Sequence, residues 1–323
     1  MEEDLEDEDD DEEAGANRKL DDALRHCSTL AAYSLKRLAR GLASSRQGAR
    51  QGFSLALRLA LEALAPLGCI APQGVLLLLA TQLQTKGAKG AELKDVLLGR
   101  AFGYSCLVRA GMATGGEPAT EVCQLLLDLW EKKAPMREAT CAILLDLTDQ
   151  LDRAGLAALW QTCPALGELL AAEGEALGPE GLWLALRLQP KLPADAEVSC
   201  LPRGAAGMGR EELARHLFEP GFFRKRLAPA LLQSAVSSPR LHSVWPQLLA
   251  VLVPGFEVDR GSRAGHASGG RGIDPAQLGT LWLDLVDAQM FGSSSHEKKH
   301  LGFQLFQILL PFLTPDTAHV VSS

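Results

Sequence analysis

From residue 22 onward apolar positions recur at intervals of three and four, the spacing that keeps side chains on one stripe of an α-helix. Leu24, Cys27, Ala31, Leu35, Leu38 and Leu42 make a first stripe. Ser44 or Ser45 can cap a second helix, with Ala49, Phe53, Ala56, Ala60 and Leu64 as its apolar positions. So short a connection makes the two helices antiparallel. The unit then recurs. Pro72 opens a helix through Val75, Leu76, Leu79 and Leu83, and after the break at Gly87 to Gly90 its partner runs through Leu93, Leu97, Arg100, Tyr104 and Val108, with Gly111 as the stop. Pro118 and Pro135 open a third pair, lined by Val122, Leu125, Leu126 and Leu129 and by Ala139, Ile143, Leu147 and Leu151. Each pair takes about 40 residues, the length of a HEAT or armadillo repeat.

The pattern is less regular from Leu156 to Gln189, and Pro190 to Gly209 reads as a loop. Helices resume near Arg210, and Pro239 opens one through Trp245, Leu248, Leu249 and Leu252. A polar, glycine-rich stretch follows, and then a last hairpin, with Leu278, Leu281 and Leu285 on one helix and Leu301, Leu305, Ile308, Leu309 and Phe312 on the other. The expectation is an all-α fold, an armadillo/HEAT-like α-solenoid of antiparallel helix pairs with a disordered acidic N-terminal tail. In residues, that is a tail at 1–19, a helical-repeat domain at 20–253, a flexible insertion at 254–273, a continuing hairpin at 274–313 and a tail at 314–323.

Composition agrees. Leu occurs 60 times and Val and Ile together 17 times, an imbalance that excludes an all-β fold because strands favour β-branched residues. The longest apolar run, Val75 to Ala80, is far below the roughly 20 residues of a membrane span. The N-terminus opens with acids where a secretory signal carries a basic and then an apolar stretch. Seven cysteines, none in Cys-x-x-Cys spacing, read as packed, reduced thiols. The formal net charge of −8 conceals a polarity: residues 2–13 hold eleven acids and no base, whereas Arg18 to Arg58 hold nine Lys or Arg against Asp21 and Asp22.

Several constellations carry possible chemistry. His296, Glu297 and His300 spell His-Glu-x-x-His, the spacing that places two imidazoles one helical turn apart on zinc. Lys298 and Lys299 inside the motif, and a helix start behind Ser293, Ser294 and Ser295, favour instead a capping box of Ser294 with Glu297. Beyond it only Asp316 and His319 are left to supply a third ligand. Asp146 with Asp149, and Asp284 with Asp287, lie on amphipathic helices without a phosphate cradle, and read as solvated faces. Gly48 with Gly52, and Gly99 with Gly103, stand four apart inside helices, where close helix approach justifies the cost of glycine. Lys36, Arg37 and Arg40 fall opposite the leucine stripe of the first helix, and Arg46 and Arg50 add a charged turn at the next. Arg224, Lys225 and Arg226 form a second, shorter cluster. These eight residues are the candidates for holding nucleic acid or an acidic partner.

Four stretches, YSLKRLARGLASSRQGARQGFSLALRLAL from Tyr33, LKDVLLGRAFGYSCLVRAGM from Leu93, PRLHSVW from Pro239 and LWLDLVDAQMFGSSSHEKKHLGFQLFQILLP from Leu281, together resemble the Myb-binding protein 1A family, also called the DNA polymerase phi or yeast DNA polymerase V family. Family members are longer, so the resemblance is to an N-terminal part. It implies a nuclear, mainly nucleolar, armadillo-like helical scaffold without catalytic residue, metal or cofactor. Such a scaffold acts in rRNA transcription regulation and ribosome biogenesis, with ribosomal DNA or RNA, transcription factors and pre-ribosomal proteins as partners, and with neither membrane nor small-molecule substrate. The rival expectations are a purely protein-binding adaptor that never touches nucleic acid, and a zinc hydrolase using His296, Glu297 and His300.

Overall fold

The computed structural model describes residues 14–258, 265–267 and 273–322. The acidic run at 2–13 lies outside them. The chain divides into two compact units, one ending at Thr162 and the other beginning at Cys163.

In the first unit, residues 14–23 form helix α1, whose Leu20 is buried together with Leu24 just beyond its end. Residues 14–19 are therefore helical, where the sequence pattern assigns them to a tail. Helix α2 (Thr29–Gly41) starts afresh, because the Ser28 hydroxyl accepts from the Ala31 N–H at 3.2 Å and caps it. The apparent single stripe from Leu24 to Leu42 thus belongs to two helices, of which α2 buries Leu35 and Ala39. Helix α3 (Gln47–Leu64) buries Arg50, Leu57 and Leu61, one position on from the expected Ala49, Ala56 and Ala60. Phe53 is half-exposed, its ring set against Gly41, where an added Cβ would stand 2.4 Å from the ring. The cap expected from Ser44 is not made either: the Ser44 hydroxyl accepts from Arg46 N–H, in the turn before α3.

The next two pairs follow the sequence pattern closely. Helices α4 (Pro72–Gln82) and α5 (Gly90–Arg109), then α6 (Gly116–Lys132) and α7 (Arg137–Asp149), are antiparallel hairpins. The first helices of the three pairs begin at Thr29, Pro72 and Gly116, a period of 43 and 44 residues. Gly111, at φ +71°, ends α5 with paired bonds from its own N–H to Val108 O and from Met112 N–H to Leu107 O. Helix α3 packs on α5 and α5 on α7, while α2 packs on α4, so the hairpins stack in series as in a HEAT-like solenoid. Helix α8 (Arg153–Thr162) closes the unit against α6. Helix α5 is enclosed on nearly every side, with Val96, Leu97, Ala101, Tyr104, Leu107 and Val108 all buried. Close approach explains its glycines: a Cβ on Gly99 would lie 3.1 Å from the Leu42 backbone, and one on Gly103 would lie 2.5 Å from the Leu79 side chain. Gly48 and Gly52, expected to do the same, face open space.

The second unit is also helical but less regular. Helices α9 (Pro164–Ala171), α10 (Gly178–Leu188) and α11 (Arg210–Leu217) come first, with an irregular connection after α10 in which the buried Gln189 amide donates to Met208 O at 3.2 Å. A continuous helical stretch follows, from α12 (Pro220–Phe222) through a π-helical segment (Phe223–Leu227) to α13 (Ala228–Gln233). Helix α14 (Val244–Leu252) begins five residues after Pro239, at the point where the buried His242 Nδ1 accepts from Val244 N–H. Helix α10 packs on both α13 and α14.

Within the stretch expected to be a flexible insertion, β1 (Phe256–Val258) pairs antiparallel with β2 (Gly265–Ala267), and β1 lies on α14. Phe256 is anchored by the Phe312 ring, edge to face at 5.8 Å. The last hairpin consists of α15 (Pro275–Leu281), capped by Asp274, its π-helical continuation (Trp282–Phe291), and α16 (His296–Leu309). The expected C-terminal tail holds a further helix, α17 (Pro315–Ser322), packed on α15. Thr314 N–H donates to the Thr317 hydroxyl at 2.7 Å and starts it.

The two kinds of glycine separate by experiment. Gly48→Ala raises stability in urea by about 0.5–1 kcal/mol through helix propensity alone. Gly99→Val lowers it by about 1–3 kcal/mol, because the branched side chain meets the Leu42 backbone rather than a yielding side chain.

Candidate nucleic-acid interface

The basic face expected on the first hairpin is largely present. On α2, Lys36 Nζ reaches Asp21 of α1 at 2.6 Å, so the helix that follows the acidic run is tied to the helix bearing the basic residues. Arg37 is exposed and lies over the Tyr33 ring, 6.0 Å from its centre. Arg40, also exposed, donates to Gln82 Oε1 at 3.1 Å. Arg46 projects at the α2–α3 connection. Lys36, Arg37 and Arg40 therefore form a rim on α2 that Arg46 extends, the three arginines exposed and Lys36 half-buried against Asp21.

Arg50 does not belong to that rim. It is 7% exposed, and its Nη2 donates both to Ser44 O and to Asp95 Oδ1 of α5, each at 2.7 Å. Buried, and with Nη2 committed to both Ser44 O and Asp95, Arg50 cannot reach a phosphate and is a clamp between α3 and α5. Its Nε is buried without a hydrogen-bond partner.

The second cluster is likewise engaged internally. Arg224 grips Asp284 with two hydrogen bonds, at 2.7 and 2.9 Å, and joins the two π-helical segments. That partner raises the Arg224 guanidinium further above its already high ordinary value. Arg226 pairs with Glu173. Lys225 is exposed, makes no hydrogen bond or ion pair among the described residues, and acts only at longer range on Glu219. Arg224, although 61% exposed, has both Nε and Nη2 on Asp284, and Arg226, 34% exposed, is paired with Glu173, so neither is as available as Arg37 or Arg46.

The carboxylate pairs read as solvated faces are partly used in the same way: Asp146 is held by Arg109 at 2.8 Å and Asp284 by Arg224. His296, Glu297 and His300 sit exposed on the first turn of α16. The helix is capped by Ser295 rather than Ser294: its hydroxyl accepts from Lys298 N–H at 3.2 Å and donates to Glu297 Oε2 at 2.7 Å. That hydroxyl, aided by Glu297's own backbone N–H and by His296, holds the Glu297 carboxyl below the usual range. Among the described residues no group of three or more His, Cys, Asp or Glu is placed to hold a metal ion. Among the described residues no helix is long and apolar enough to cross a membrane.

Comparison with known proteins bears on the rim directly, since it begins within the matched region. Residues 33–323 match the family described as DNA polymerase phi. The chain belongs to the DNA polymerase phi family. Against an individual protein, the rDNA transcriptional regulator pol5 of Schizosaccharomyces pombe, this DNA polymerase phi family chain is 28% identical over 296 residues. The aligned region covers 88% of the chain and 28% of that relative, so the chain spans little more than a quarter of the relative's length. No solved structure matches.

Two outcomes follow. Arg50→Leu leaves Asp95 without its counter-charge and lowers stability by about 3 kcal/mol in chemical denaturation, whereas Arg37→Leu changes it by less than about 0.5 kcal/mol. By NMR titration Glu297 deprotonates below the ordinary glutamate range, and Ser295→Ala moves its titration up toward that range. The linkage sign is that of a depressed carboxyl: what this contact adds to the start of α16 is present above the ordinary glutamate pKa and is lost as pH falls through the lowered one.

Proposed function

We propose that this chain is a non-enzymatic helical scaffold of the nucleus, concentrated in the nucleolus, that takes part in regulating ribosomal RNA gene transcription by contacting rDNA or rRNA through its first hairpin. The observation that carries the reading is the solvent-open rim of Lys36, Arg37, Arg40 and Arg46, in a chain of this family that is similar to a protein named an rDNA transcriptional regulator. Cations spaced along one helix and its following turn suit a phosphate backbone, which binds by charge neutralisation and release of counterions. Tyr33 beneath Arg37 adds an exposed ring on which a base can stack.

The word polymerase in the family description does not call for catalysis here. Asp146 and Asp284, the acids best placed by sequence to resemble metal-binding pairs, are neutralised by Arg109 and Arg224. Transcription factors and pre-ribosomal proteins are the protein partners that this reading adds.

The test is nucleic-acid binding across a salt series. The quadruple change of Lys36, Arg37, Arg40 and Arg46 to Gln reduces the steepness of log K against log salt by about 3 to 4, close to 0.9 per lost phosphate contact. An unchanged slope rejects the rim, and retention of partners from nuclear extract after nuclease treatment, by that same variant, favours the adaptor reading instead.

A further inference from the structure

Away from the rim, helices α3 and α5 enclose a small recess of about 180 Å³ lined by Gln51, Ser54, Leu55, Arg58, Ser105 and Arg109, with Phe102 and Cys106 completing it. Two guanidiniums from different helices converge there. Each is held by a neighbouring acid through its Nε alone: Arg58 to Glu62 at 2.7 Å and Arg109 to Asp146 of α7 at 2.8 Å. Among the described residues nothing engages the terminal amino groups of either arginine, the Ser105 hydroxyl or the Gln51 amide. The recess thus presents several unused donors at one spot. Its floor is fixed: Cys106 Sγ donates to Ser54 O at 3.2 Å and lies 3.3 Å from the Ser54 hydroxyl. Burial pushes the Cys106 thiol up, with Ser54 and the two arginines opposing it, so the sulfur is a wall and not a nucleophile.

Beside these donors α3 exposes apolar surface. Leu55 is 57% exposed and Leu59, one turn further along the same face, 52%. Phosphate backbones are tracked by rows of separated cations, whereas here two fork-shaped cations meet at one point next to aliphatic side chains. A carboxylate can accept from both forks while a neighbouring leucine or phenylalanine of the same partner covers Leu55 and Leu59.

We propose that this recess is a docking site for an acidic protein segment, with one carboxylate received between Arg58 and Arg109 and an adjoining apolar side chain seated on Leu55 and Leu59. The commitment to protein rather than nucleic acid rests on this pairing of guanidinium donors, whose charges Glu62 and Asp146 already balance, with aliphatic surface. The site shares no residue with the rim on α2, so the two readings stand or fall separately.

The experiment uses the full chain and a fluorescein-labelled acidic dodecapeptide of Asp and Glu in which Leu recurs at every third or fourth position, followed by anisotropy at moderate salt. Binding is expected, and the double variant Arg58→Gln, Arg109→Gln weakens it by about tenfold or more, as loss of charge-assisted contacts does. Leu55→Ser weakens it as well, and Arg37→Gln with Arg40→Gln leaves it unchanged. Leu55, Arg109, Arg37 and Arg40 are exposed and Arg58 is half-buried, and circular dichroism of each variant verifies that the fold is kept. Absence of wild-type binding overturns the proposal, as does insensitivity to the double variant. Equal binding of a leucine-free polyglutamate, or of a single-stranded oligonucleotide sensitive to the same substitutions, also overturns it by removing the apolar half of the argument.

Discussion

Helix α5 buries apolar residues on nearly every side, and the first unit is arranged around that constraint. Leucines and valines around its circumference need α3, α4 and α7 against them at once, and hairpins stacked in series supply all three neighbours. Glycines at 99 and 103 let α2 and α4 approach closely. Arg50 and Asp95 then tie α3 to α5 by charge at a buried point where a hydrophobic contact would carry no direction. The surface chemistry follows from the same arrangement. With the apolar faces turned inward, the basic rim of α2 and the recess between α3 and α5 are what the stack leaves to solvent.

Much of this was legible in the residue pattern. The hairpins opened by Pro72 and near Pro118 and Pro135 stand where the three-and-four spacing puts them, because proline and glycine punctuate the chain by backbone geometry that tertiary contacts cannot override. The errors have equally specific causes. Ser28 interrupts a stripe whose leucines keep helical spacing on both sides of the break. In α3 the small residues Ala49, Ala56 and Ala60 mimic an apolar face, whereas the true inward line contains an arginine. In the second unit π winding spreads the inward positions of one helix to Leu281, Leu285 and Met290, steps of four and five that a search at α-helical spacing does not follow.

The candidate surface residues were legible only as charges. That Lys36, Arg37 and Arg40 face away from the leucine stripe follows from 100° per residue, and they do. Whether a cation remains available depends on acids distant in sequence, and Asp95, Asp284 and Glu173 withdraw Arg50, Arg224 and Arg226. The convergence of Arg58 and Arg109 was hidden for the same reason, since it exists only because α3 and α5 lie side by side.

The fork between Arg224 and Asp284 has a meaning for how this family can vary. Its two members stand 60 residues apart, each on a helix wound with the wider π turn. One residue gained or lost within either segment swings its charge around the helix axis by about 100° and out of reach of the other. An insertion or deletion within either segment therefore breaks this contact unless a matching change in the other restores it.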